Sequence, residues 1–195
     1  MSRAPPDGIG ALSAEQVPDM ASWYLLDGGD LILDVSPDWD AAALAAHGGH
    51  NALRAGVIGR PLGRFLHGDS TRLFIESALQ ATRLTQQPRT LAYRCDSPTL
   101  IRHMQMRLLP LPGHQLRVEH RVLQLQPRRE PLRFEARQTP PTLQGGAPWL
   151  RCSICLWVCT PQGYWEPPEH VHAARPLQVD YVVCPRCQAE MTSPG

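Results

Sequence analysis

Apolar positions along the chain switch between two periods, and the switches outline an order of elements. Trp23-Tyr-Leu-Leu26 is a short apolar run, Asp27-Gly-Gly-Asp30 is a turn signal, and Leu31-Ile-Leu-Asp-Val35 is the returning strand of a hairpin. Glycine supplies the positive φ that tight hairpin turns need. Ser36-Pro-Asp38 then starts a helix, with Ser36 or Asp38 as its cap and Pro37 in its first turn. Trp39, Ala42, Ala43 and Ala46 recur at helical spacing as one apolar stripe, which Gly48-Gly49 ends. Val57-Ile-Gly59-Arg-Pro-Leu62 reads as a turn into a short segment reaching Leu66. A longer helix is predicted over Thr71–Thr85, with Leu73, Phe74, Ala78 and Ala81 on one side and Gln86-Gln87-Pro88 closing it. Alternation then takes over in Arg89–Cys95, Leu100–Leu109 and Gln115–Leu125, joined by Asp96-Ser-Pro98 and Pro110-Leu-Pro-Gly113. Met104, Met106 and Leu108 face one way, and His103, Gln105 and Arg107 the other. Leu116, Val118, His120 and Val122 share a face, as in a half-buried antiparallel sheet.

Two strands, several helices and three strands predict an α+β domain over residues 23–126. Its expected core is a five-stranded antiparallel sheet with helices packed on one face. Residues 1–22 read as a Pro/Gly-containing leader, 127–148 as a linker, and 149–195 as a Cys-rich module. A hydrophobic fraction of 43% is enough for a packed core, and 20 prolines crowding toward the C-terminal half suggest a looser tail. The formal charge of +1 leaves no broad electrostatic footprint for nucleic acid or an anionic membrane. All 19 basic residues are Arg, so Schiff-base chemistry and a phosphate-loop lysine are excluded. The first residues carry no apolar signal core, and no apolar run is long enough to span a bilayer. A cytoplasmic location is therefore expected, where thiols stay reduced. Six cysteines in that setting point to metal or redox roles before disulfides.

The element order over residues 23–126 resembles the PAS fold. The residues that carry the resemblance are the Asp27-Gly-Gly-Asp30 hairpin, Leu31–Val35 leading into the Trp39 helix, the Val57-Ile-Gly59-Arg-Pro-Leu62 turn and the long helix opened by Asp69. Tyr93-Arg94-Cys95-Asp96-Ser97-Pro98 with Met104-Gln-Met106 is similar to a subgroup of small bacterial PAS proteins that carry a Cys-rich tail. Trp165-Glu166 departs from that subgroup's spacing. The resemblance implies a sensory protein that binds a small molecule or mediates protein contacts. A signalling partner such as a histidine kinase or regulator is implied, and homodimerisation is a further expectation. It also implies a cavity on the inner face of the sheet, with His120, Met104, Met106, Tyr93 and Trp39 as candidate lining residues. The preferred reading of His120 is nevertheless a core histidine bonded to backbone, and that of the two methionines core packing. Gly63 stands where LOV-type PAS domains carry the reactive cysteine, so that photochemistry is unavailable there. The long helix has no His to serve as an axial haem ligand; His67 only precedes it.

The sharpest chemical signal is the pair of CxxC motifs, Cys152/Cys155 and Cys184/Cys187, separated by the 28 residues Leu156 to Val183. Each motif can aim two thiolates at one centre, and two motifs complete a tetrahedron around one structural zinc per chain. Trp157, Tyr164 and Trp165 are expected to supply the core of this zinc-ribbon-like module. Cys159, His170 and His172 are spare donors that the site does not require. A thiol redox switch is a rival reading of the same cysteines. A second rival is a nucleic-acid binder using Arg151, Arg175 and Arg186, opposed by a four-thiolate centre's negative charge and by Glu166 and Glu169. Cys95 beside Arg94 reads as a redox thiol or a structural one. Arg94 and Asp96 are expected to pair across their turn, with little effect if exposed. No phosphate loop, GxSxG or HExxH motif occurs, so the chain is not expected to be an enzyme.

Overall fold

A computed structural model describes residues 21–45, 49–97, 99–128, 133–138, 147–171 and 176–192. The expected leader lies outside the described residues up to residue 20, and so do Ala46, Gly48, Pro98 and Gly145-Gly146. The chain opens with strands β1 (Ser22–Leu26) and β2 (Ile32–Val35), paired antiparallel. Asp27 makes the turn between them: its Oδ1 accepts the N–H of Gly29 at 2.9 Å and of Leu31 at 2.8 Å. The left-handed residue of this turn is Asp30 (φ 63), whereas the sequence suggested a glycine. Asp tolerates that conformation better than most residues, and Arg83 pins its carboxylate at 2.6 Å.

Helices α1 (Trp39–Ala45), α2 (Arg54–Val57) and α3 (Asp69–Thr85) follow. Ser36 does not cap α1, because its Oγ is buried without a partner and its carbonyl takes the Trp39 N–H instead. The buried face of α3 is Phe74, Ile75, Ala78, Leu79, Thr82 and Arg83. Leu73, expected on that face, is exposed. Helical spacing permits either side, and the centre of the stripe falls on Ile75, Ala78 and Leu79, turned away from Leu73. Strands β3 (Arg89–Arg94), β4 (Leu100–Pro110) and β5 (Leu116–Pro127) complete a five-stranded antiparallel sheet in the order β2-β1-β5-β4-β3. This is the PAS-like sheet that the sequence implied.

Arg83 knots the domain from inside. Its side chain is 5% exposed, and it donates to the carbonyls of His114 (3.0 Å) and Asp27 (2.8 Å) and to the Asp30 carboxylate. One guanidinium thus ties α3 to the β1–β2 turn and to the turn before β5 (Leu116–Pro127).

The C-terminal residues form a second sheet. Its strands are β6 (Phe134–Ala136), β7 (Trp149–Cys152), β8 (Val158–Cys159), β9 (Trp165–Glu166) and β10 (Leu177–Val182), in the order β6-β10-β7-β8-β9. Within the stretch read as linker, β6 instead pairs parallel with β10. Helix α4 (Pro185–Thr192) closes the chain. The two sheets do not stand apart. Cys152, Ile154, Cys155, Val183, Cys184 and Cys187 belong to the same buried cluster as Leu26, Phe74 and Leu108. Gly68 (φ 81) lets β10 approach the start of α3, where an added Cβ would sit 3.1 Å from the Tyr181 carbonyl.

The Arg94–Asp96 pair forms as expected, and it is buried. The Asp96 side chain is only 2% exposed and is held by both Arg94 and Arg128, the latter at 2.6 Å. Arg94 also grips Glu169 of the C-terminal half at 2.5 Å. The turn is covered because the second module packs over it. Among the described residues no helix is long and apolar enough to cross a membrane.

Replacing Arg83 with Met should leave Asp30 and two carbonyls without their buried donor. We expect urea unfolding to show a loss of about 3 kcal/mol; unchanged stability would remove Arg83 from its structural role.

Candidate metal centre and aromatic pocket

Strand β7 ends on Cys152, the chain turns through Ser153 and Ile154, and Cys155 points back toward the same centre. Leu156 adopts a left-handed conformation (φ 62) to close the turn, and its N–H returns to the Cys152 carbonyl at 3.0 Å. A leucine held there is strained by about 1–2 kcal/mol, so the surrounding structure must hold the turn. The second pair lies where β10 gives way to α4. Cys184 directly precedes the helix, Pro185 occupies its first position without losing a hydrogen bond, and Cys187 follows in the first turn.

The four sulfurs lie within 4.8 Å of one another and all four residues are buried. The Cys152–Cys187 and Cys155–Cys184 sulfur separations are 3.9 and 3.7 Å. Zinc–sulfur bonds of about 2.3 Å at tetrahedral angles require sulfur separations of about 3.8 Å. A disulfide needs about 2.05 Å. The donor set therefore fits a four-thiolate metal ion and not two disulfides. The Cys184 N–H points at Cys152 Sγ, 3.4 Å away. Hydrogen bonds from Cys155 and Cys187 pull the Cys152 thiol's pKa far down, while sharing with Cys152 pushes Cys155 up to about 11 and raises Cys187 as well. Four thiols this close cannot all ionise alone, and a divalent cation is what would let them.

The other candidate donors sit elsewhere. Cys159 is on β8, with its sulfur against the Thr160 carbonyl, and His170 is exposed. His172 and Arg175 lie outside the described residues. Trp157 and Trp165 pack against the core, but Tyr164 is 73% exposed and adds nothing to it. Arg186 lies over the Trp157 ring at 4.4 Å, and Arg151 over Phe134 at 4.0 Å. Burial works against the Arg186 charge, yet its hydrogen bond and attraction to Cys155 outweigh that and raise its pKa. Both arginines are thus engaged within the module.

The module meets the first domain through the two residues inside the first CxxC. Ser153 Oγ accepts from Thr71 Oγ1 in the first turn of α3 at 2.6 Å. The Ile154 carbonyl accepts the Arg94 N–H at the open edge of β3 at 2.8 Å. On either side of Arg94, Tyr93 and Cys95 line a half-open pocket of about 270 Å³.

Trp39, Met104 and His120 line this pocket as well. Met106 does not; it lies two residues further along the strand, where the core has filled the space, and is 6% exposed. Trp39 is fixed by its indole N–H to the Ala52 carbonyl at 2.7 Å and packs edge-on to Tyr24 at 6.1 Å. His120 stacks on Tyr24 at 5.5 Å, and its Nδ1 lies 2.8 Å from the Tyr93 hydroxyl. Burial pushes the His120 pKa down to about 4 and raises that of the Tyr93 phenol, so both are neutral at ordinary pH. Cys95 and Arg102 were not anticipated as lining residues. Arg102 shares strand parity with Met104, which was the available signal; a charge on an inward position reads as an exception to the pattern.

No protein-family model matches the chain, and no functionally curated protein matches it. Solved structures similar to part of it include the following two. A domain of an HTR-like protein from Haloarcula marismortui ATCC 43049 is 15% identical, with a TM-score of 0.37, covering 53% of this chain and 97% of its own. The PAS domain of nitrogen regulation protein NR(II) from Vibrio parahaemolyticus is 18% identical, with a TM-score of 0.32, covering 52% and 88%. What makes residues 22–127 PAS-like is their own strand order, with helices inserted between β2 and β3.

The buried His120 makes stability depend on pH. Its pKa is about 6.5 in an unfolded chain and about 4 here. Between those values the unfolded chain binds the proton and the folded one does not, so stability is complete above pH 6.5 and falls on acidification. Loss of a metal ion from the cysteine cluster on acidification would act in the same direction in any variant. His120→Gln should therefore lose less melting temperature than the parent between pH 7 and pH 5. Equal losses would place the dependence elsewhere.

Proposed function

We propose that this protein is a sensory signalling protein. In this reading a small molecule enters the aromatic pocket, a structural zinc holds the C-terminal knuckle, and the end of β3 links the two. The observation that carries the reading is the alternation at residues 93–96. Tyr93 and Cys95 face the pocket, while the Arg94 N–H meets the knuckle and the Arg94 and Asp96 side chains join the ion cluster. A strand cannot move one set of these groups without the other.

Zinc would be held by Cys152, Cys155, Cys184 and Cys187 and, with no ligand position left open, would shape the turn and do no chemistry. Ser153 and Ile154 are the residues that the metal would shape, and they touch α3 and β3. A ligand that binds two arrangements of the pocket unequally would shift the knuckle's surface by its differential affinity. A histidine kinase or regulator reading that surface is the partner class that fits a protein without a catalytic motif. Homodimerisation through the first domain is compatible with the same output.

Protein purified without chelator should show one zinc per chain by native mass spectrometry, and Cys184→Ser should show none. Exchanging zinc for the larger cadmium keeps the chain folded and should move the NMR signals of Tyr93, Cys95 and the Trp39 indole. A parent protein without metal would overturn the zinc reading and favour free thiols. Shifts confined to residues 149–192 would overturn the link through β3.

A further inference from the structure

The pocket is not uniformly apolar, and one charged side chain, Arg102, is among its lining residues. Trp39, Met104 and Val122 form an apolar wall. Arg102, Tyr93 and His120 add polar groups to the same sheet face that carries Met104 and Val122, and no carboxylate is among the described residues that line the space. The neighbouring acid, Asp96, is taken up by Arg94 and Arg128. Arg102 makes no ion pair among the described residues.

Arg102 is nevertheless held in place. Its Nε donates to the Cys95 carbonyl at 2.5 Å, and its backbone N–H donates to Asp96 Oδ1 at 3.2 Å. The Nε contact fixes the plane of the guanidinium and leaves the two terminal nitrogens to donate. A planar fork of this kind matches a carboxylate. With the Tyr93 phenol and the His120 ring both neutral, the charge at the pocket is a single cation.

The geometry points to a small aromatic carboxylic acid as the ligand class of this pocket, its ring against Trp39 and Met104 and its carboxylate on Arg102. This deepens the sensory reading and rests on the pocket being the input site. Size limits the choice further. A cavity of about 150 Å³ takes a benzene ring, so the volume of about 270 Å³ suits one or two fused rings and is too small for a long acyl chain. Flat rings also stack on aromatic walls at little cost in conformational freedom.

The test is an NMR titration of the zinc-loaded full chain with indole-3-carboxylate and with its neutral amide, indole-3-carboxamide. Trp39 and His120 signals report on the pocket, and zinc content reports on folding. The acid should bind about tenfold more tightly than the amide, as expected for one charge-assisted pair. Arg102→Gln should abolish that preference, bringing the acid's affinity down to that of the amide. Met104→Trp, which fills the apolar wall, should block both probes. If acid and amide bind the parent equally, or the preference survives Arg102→Gln, the acid class is wrong and the pocket remains the input site. If neither probe moves the Trp39 or His120 signals, the pocket reading falls together with the inference.

Discussion

A small C-terminal module buries little apolar surface of its own, and a metal ion at its four cysteine sulfurs would supply what a larger core supplies elsewhere. The cluster fixes the end of β7 against the start of α4. A metal ion there would also set the turn at Ser153 and Ile154, and through that turn the contact between the second sheet and the first. The strained Leu156 belongs to the same closure: its conformation is tolerable only because the residues on both sides are committed. A metal ion at the sulfurs would add binding energy directly to folding, so the module and its ion would form together.

The charges at the junction act differently from the sulfurs. Asp96, Arg94, Arg128 and Glu169 share one cluster from which water is largely excluded. Desolvating such groups costs about as much as their attraction returns, so the cluster adds little net stability. Its effect is on register. Any other docking of the module would strand a buried carboxylate or guanidinium, and that penalty selects one arrangement.

Much of the first domain was legible because period-two runs separated by turn residues leave few choices for a sheet of this size. The cysteine pairs were legible because two thiolates at that spacing have few other uses. The junction was not legible. Arg94, Asp96 and Arg128 carry charges, and from sequence a charge reads as surface unless its cover is known. Strand β6 was missed because Phe134-Glu-Ala136 is too short to alternate and exists only by pairing with β10. Arg102 was missed because its inward position contradicts the hydrophobic pattern, which is where a binding group is most often found.

The knuckle also occupies the open side of β3. Edge strands present unpaired amides that invite another chain to add on, and the Ile154 carbonyl covers one of those amides at the end of the strand. A chain starved of metal would uncover that edge at the moment its knuckle loosened. Metal supply would then decide between a dispersed protein and one that sticks to its own copies.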